Sequence, residues 1–154
     1  METLGSYLAE DHDRCDALFR EAHHAVLGAD WNEAARAMGA FQHALERHLI
    51  MEERIVYPAF ERALGHAMAP TAAMRAEHLR IRGMTQRMAD SVRGRDRGAF
   101  VKHAEVLLLV MYQHGEKEEG VLYPMIERVL AHSCRDLVSA MRAFGNYDVC
   151  ASAA

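Results

Sequence analysis

The sequence predicts an all-α protein, an up-down-up-down antiparallel four-helix bundle with a short C-terminal helix. Three observations carry that expectation. Apolar residues recur in alternating steps of three and four over four long stretches, the spacing of one helix face, and no window alternates as a strand would. Turn signals are few, falling at Gly28-Ala29-Asp30, Gly65-His66-Ala67, Gly94-Arg95-Asp96 and Ala131-His132-Ser133. The chain also repeats itself at an offset of 66 residues, most plainly where HLIMEERIVYPAFER (48–62) matches HGEKEEGVLYPMIER (114–128).

The first helix is expected over about residues 3 to 27, with Leu4, Leu8, His12, Cys15, Phe19, Ala22 and Val26 along its seam. The second opens at Asp30, whose carboxylate caps it while Glu33 completes a capping box. Its seam runs Trp31, Ala34, Met38, Phe41, Leu45, His48, Glu52, Ile55 and Ala59. The third starts near Pro70, a residue suited to a first turn, and presents Met74, His78, Ile81, Thr85, Met88 and Val92. The fourth starts near Asp96 and presents Phe100, Ala104, Leu107, Met111, His114, Glu118, Val121 and Met125. A short fifth helix runs from Ser133 to Gly145. Pro58 and Pro124 remove interior hydrogen bonds and should kink the second and fourth helices. Residues 1–145 then form one domain of two similar halves, 1–64 and 67–130, and residues 146–154 form a tail.

At 154 residues, with 51% hydrophobic and 26% charged side chains, the chain can bury a core and does not read as disordered. A net charge of -4 gives no footprint for nucleic acid or an anionic membrane. Cys15, Cys134 and Cys150 lack CxxC pairing, which points away from a disulfide framework or a thiolate zinc site and toward a reducing cytoplasm. Neither a signal peptide nor a spanning helix is expected. Ten histidines direct attention to metal ligands, whereas the ten methionines suit core packing.

Six coordinating residues occupy seam positions that should be apolar: His12, His48, Glu52, His78, His114 and Glu118. Burying each costs free energy unless it is paired, hydrogen-bonded or bound to a cation. Counting from the turns places His12, His48, His78 and His114 at one level, about 25 Å along their helices. The i, i+4 spacing of His48/Glu52 and His114/Glu118 sets both members of each pair on one face. Four imidazoles and two carboxylates make a ligand set for two divalent or trivalent ions. Imidazole suits iron, zinc, copper and nickel, and carboxylates suit iron and manganese and can bridge a pair. Positions would remain for a bridging oxide or hydroxide and an external ligand.

With a single His on the first and third helices and His-x3-Glu on the second and fourth, each followed by Glu and then Tyr-Pro, residues 8 to 130 resemble the hemerythrin-like, or HHE cation-binding, family. The resemblance implies a non-haem di-iron site in a four-helix bundle, two iron ions with an oxo or hydroxo bridge. It implies His12, His48, Glu52, His78, His114 and Glu118 as the iron ligands, and O2, nitric oxide or H2O2 as the small ligand. Reversible oxygen carriers of the family have a second His on the third helix, and here the positions a turn either side of His78 are Met74 and Arg82. Glu118 is preferred over Glu119 as the fourth-helix carboxylate because it matches Glu52 through the repeat. The symmetric set resembles the bacterial branch linked to redox stress, iron-centre repair, nitric oxide handling, peroxide removal or sensing. A monomer or homodimer is expected. The alternatives are a sensor or iron donor without turnover, and a structural zinc bundle; ferritin-like proteins, with Glu-x2-His, fit less well.

Other residues take simpler readings. Cys15 is expected as a small buried hydrophobe. Tyr57 and Tyr123 point away from the seam in helical phase and are expected at least as much at a surface or dimer contact as at the site. Gly115, which answers to Leu49 in the repeat, is expected to open room for a small ligand or a close helix contact. His23, His24, His43, His66, His103 and His132 fall off the seams or at helix ends.

Overall fold

The computed structural model describes residues 1–66 and 69–145. Four rods form the bundle: α1 (Leu4–Leu27); α2 (Trp31–Met51), continued by α3 (Tyr57–Leu64); α4 (Ala69–Arg93); and α5 (Arg97–Lys117), continued by α6 (Tyr123–Val129). A short α7 (Cys134–Gly145) follows, and no strand occurs among the described residues. α1 packs chiefly on α2 and α4 on α5, and these pairs meet through α2 with α4 and α1 with α5. No helix among the described residues is long and apolar enough to cross a membrane. The expected tail at 146–154, with Cys150, lies outside the described residues.

Local chemistry sets the helix ends. Asp30 and Asp96 cap α2 and α5 by accepting from the backbone N–H of Glu33 (3.1 Å) and Ala99 (2.9 Å). The capping box expected at Asp30 does not form, because the Glu33 carboxylate turns to Arg36 instead. The reciprocal box is found at the start of α1, between Thr3 and Ser6. α1 and α4 end alike, with Ala29 and Arg95 in the left-handed region (φ 54° and 52°) and six-residue closures from Asp30 N–H to Ala25 O and from Asp96 N–H to Ser91 O.

The α-helical pattern of the second and fourth rods is interrupted just before Pro58 and Pro124. Each passes through a π-helical turn, Glu52–Val56 and Glu118–Leu122, in which the N–H of Tyr57 or Tyr123 bonds the carbonyl five residues back, at Glu52 or Glu118. Pro58 and Pro124 follow directly, and a proline ring collides with the carbonyl four residues before it in an α-helix. The wider turn moves that carbonyl aside. It also adds a residue to the turn, so the buried face slips by one position. Val56, Tyr57 and Phe60 are buried where Ile55 and Ala59 were expected, and Leu122, Tyr123 and Ile126 are buried where Val121 and Met125 were expected. Val121 is exposed.

Two apolar clusters sandwich a polar layer. One, near the α1–α2 turn, includes Phe19, Met38, Phe41, Ile81, Met88, Phe100 and Leu107. The other, at the opposite end, includes Leu4, Leu8, Tyr57, Phe60, Tyr123 and Ile126 and is closed by Val138 and Met141 of α7. Burial of those two side chains contributes about 1.5–3 kcal/mol each, and Arg142 on the same helix pairs with Glu2. Between the clusters lie His12, His48, Glu52, His78, His114 and Glu118.

Candidate metal centre

The structure brings all six residues together. His12 comes from α1, His48 from the end of α2, His78 from α4 and His114 from the end of α5, while Glu52 and Glu118 open the two π-helical turns. Five are buried and His12 is partly exposed. The imidazoles sort into two pairs, His12 with His48 (ring centroids 4.5 Å apart) and His78 with His114 (5.0 Å). Donor atoms of His12, His48 and Glu118 lie within 4.8 Å of one another, as do those of Glu52, His78, His114 and Glu118, so Glu118 belongs to both groups. The shortest contacts are His114 Nε2 to Glu118 Oε1 (2.9 Å), His12 Nε2 to Glu118 Oε2 (3.1 Å) and His78 Nε2 to Glu52 Oε2 (3.2 Å). His48 Nε2, His78 Nε2, His114 Nε2 and Glu52 Oε2 are nonetheless buried with no hydrogen bond.

Four carboxylates stand behind the imidazoles. Nδ1 of His12 meets Glu119 Oε1 (2.7 Å), that of His48 meets Asp11 Oδ2 (2.9 Å), that of His78 meets Glu53 Oε1 (2.8 Å) and that of His114 meets Glu77 Oε2 (2.6 Å). An ionised carboxylate only accepts, so each ring carries its proton on Nδ1 and, when neutral, turns the Nε2 lone pair inward. Cations hold three of these carboxylates in turn. Arg14 and Arg47 pair with Asp11 (2.6 Å each), Arg82 with Glu53 (2.8 Å) and Lys117 with Glu77. Sequence reasoning missed this shell as a set. Its signal was an acidic residue before each single His (Asp11, Glu77) and after each seam Glu (Glu53, Glu119), in phase with the repeat.

The slip at the π-helical turns corrects the expectation for the two tyrosines. Five residues of α-helix would turn Tyr57 about 140° away from Glu52; the wider turn brings both phenols inward, fully buried. Tyr57 OH donates to Glu118 Oε1 (2.9 Å), and Tyr123 OH lies between Glu52 Oε1 (2.6 Å) and Glu118 Oε2 (3.0 Å). Burial, and then the charges of Glu52 and Glu118, raise both phenol pKa values, so the hydroxyls stay protonated and remain donors.

The layer is strongly negative. Burial disfavours a charged His78, yet Glu118, Glu52 and Glu53 outweigh it and push its pKa up to about 11. His12 rises to about 9, where Glu118 and Glu119 overcome the same burial penalty. Glu118 is held well below the carboxylate range, burial being overcome by His114, His12 and His78. A cation would neutralise the field that these protons now answer.

Among the described residues, none of the others joins the two donor groups. Cys15 is buried, and burial, followed by the Asp11 charge, pushes its thiol up to about 12, so it behaves as a small apolar group. His23 stacks on Phe19, and His24, His66 and His132 are exposed. A Cβ at Gly115 would come 3.8 Å from His12 Nδ1. Gly115 lines a cavity of about 600 Å³ that opens between α1 and α5 onto His12, His48 and His114.

Residues 3–144 match the hemerythrin HHE cation binding domain family. No curated protein and no solved structure matches the chain.

Proposed function

Because the chain belongs to the hemerythrin HHE cation-binding family, we propose that His12, His48, Glu52, His78, His114 and Glu118 hold two iron ions, at which the protein binds or reacts with O2, nitric oxide or peroxide. The supporting observation is the set of inward imidazole nitrogens and a carboxylate oxygen that are buried without a hydrogen bond. Buried polar atoms are almost always satisfied, and a cation is the partner that suits converging lone pairs. The two donor groups that share Glu118 fit two ions, and a nitrogen-rich set with two carboxylates suits iron.

Bound iron would supply one-electron chemistry and coordination positions open to a small ligand. The chain supplies the rest. Asp11, Glu53, Glu77 and Glu119 fix the imidazole tautomers and orientations. Tyr57 and Tyr123 hold the carboxylates by hydrogen bonds and keep a proton at each phenol oxygen. The two apolar clusters exclude water above and below the layer, and the cavity between α1 and α5 provides entry. Redox stress handling or iron-centre repair in the cytoplasm is the role this chemistry suits.

Anaerobic reconstitution with ferrous iron, followed by metal analysis, tests the assignment. Two irons per chain are expected, with near-ultraviolet absorption on exposure to air and a spectral change under nitric oxide. Glu118→Ala should lose at least one iron. One metal per chain or none, or a colourless zinc protein from its native host, would overturn the di-iron assignment. Multiple turnover with peroxide or nitric oxide separates a reactive centre from a sensor or iron donor.

A further inference from the structure

The cavity above the cluster is where the two halves of the bundle differ. On the α2–α4 side the seam is clamped: the Arg82 guanidinium donates to Glu46 Oε2 (2.9 Å) and Glu53 Oε1 (2.8 Å), with Leu49 buried beneath. The offset of 66 residues maps Arg82 onto Asp16, Glu46 onto Tyr112, Glu53 onto Glu119 and Leu49 onto Gly115. On the α1–α5 side a carboxylate therefore stands where the cation was, and a glycine where the leucine was. No clamp forms, and the seam opens into about 600 Å³ over His12, His48 and His114.

That volume far exceeds the need of a diatomic gas. A water molecule has about 30 Å³ of liquid volume, whereas pockets for organic molecules span about 300–1,000 Å³. The walls are apolar, with Leu45, Leu49, Ile81 and Met111 inside and the exposed Leu108, Leu109 and Tyr112 at the mouth. The rim carries Asp13, Asp16, Glu105 and Glu116, and neither lysine nor arginine lines the cavity among the described residues. None of these four carboxylates forms a salt bridge among the described residues, whereas arginine or lysine holds three of the four carboxylates behind the imidazoles. A second copy docked about a twofold axis would set the same acids against each other.

We propose that this cavity binds an organic cation with an apolar body, its ammonium group at the carboxylate rim and its hydrocarbon among the leucines. The inference rests on the metal assignment for the cavity floor alone, where ions engaged by the imidazoles leave the ligand's charge to the rim. Titration calorimetry of the metal-loaded protein with hexyltrimethylammonium, hexanol and hexanoate tests it, with metal content measured on the same samples. The quaternary ammonium cannot coordinate a metal. It should bind saturably at one per chain and at least tenfold more tightly than hexanoate. Asp16→Asn with Glu105→Gln should reduce that preference about fivefold. Asp16→Arg with Tyr112→Glu, which rebuilds the α2–α4 clamp, should abolish binding with metal content unchanged.

Hexanoate binding as tightly as the cation, clamp-variant binding equal to the parent, or no saturable heat would overturn the proposal; so would a dimer that occludes the cavity. Failure of the reconstituted protein to hold metal, with the probe still bound saturably, would instead count against the metal assignment and leave the cavity proposal standing.

Discussion

Alanine substitution of the four carboxylates behind the imidazoles should weaken metal binding in the order of their burial. Side-chain exposure is 7% for Asp11, 22% for Glu53, 27% for Glu77 and 46% for Glu119. The more a carboxylate is screened by water, the less its loss is felt, because solvent can replace it on the imidazole Nδ1–H. Removing such orienting partners costs about 10–100-fold in metal affinity, so Asp11→Ala belongs near the upper end and Glu119→Ala at or below the lower. Asp11 also carries a stability term of its own. Its loss strands the buried His48 Nδ1–H and the guanidinium of Arg47, which is 13% exposed and already has a bare Nε. Breaking a fully buried pair costs about 3–5 kcal/mol. Arg14 is 46% exposed and can rehydrate, and alanine gains about 0.5 kcal/mol of helix propensity, leaving roughly 2–3 kcal/mol for the metal-free protein. Asp11→Asn keeps an acceptor for Nδ1 and should fall between parent and alanine. Chelator competition measures the affinities and urea unfolding of metal-free protein the stabilities. Asp11→Ala with both parameters at parental values, or Glu119→Ala as the most damaging of the four, would refute the burial ordering.

Three further outcomes are expected. In metal-free protein the raised pKa values of His12 (about 9) and His78 (about 11), set against about 6.5 when unfolded, mean stabilisation that is full below about pH 6.5 and lost as pH climbs through the folded values. The urea midpoint should therefore decline toward pH 11, and a flat profile for metal-free protein would contradict the charged-layer account. Tyr123→Phe keeps the ring but removes the hydroxyl between Glu52 and Glu118, which should cost about 1–3 kcal/mol in the same assay; a change below about 0.5 kcal/mol would show that the phenol is not a structural donor. Phe41, fully buried and edge-on to Phe19 at 5.6 Å, should cost about 3–5 kcal/mol as Phe41→Ala, and a cost under about 1 kcal/mol would mean that the apolar cluster near the α1–α2 turn collapses around the gap.

Much of the bundle was legible in the chain. The seams of α1 and α4, and those of α2 and α5 as far as His48 and His114, follow the three-and-four spacing closely, with Met111 only half-buried beside the cavity. Past those histidines the spacing misled. Burial moves from Ile55 to Val56 and from Val121 to Leu122, because helical periodicity assumes an α turn and the proline at 58 or 124 imposes a wider one upstream. The same slip hid the tyrosines. Asp11 and Glu119 were equally hard to read: each is one position off its own helix's seam and finds its imidazole on a neighbouring rod.

Helix positions, the capping carboxylates of Asp30 and Asp96 and the convergence of six donors were legible in the chain, since they depend on contacts within a turn and on residues spaced along one face. Which imidazoles pair, which carboxylate stands behind each, how the phenols reach Glu52 and Glu118, and why α1 parts from α5 were decided only by packing. These depend on distances between rods, and one turn of five rather than four, or one carboxylate in place of a guanidinium, resets such distances without altering the local signals that form the helices.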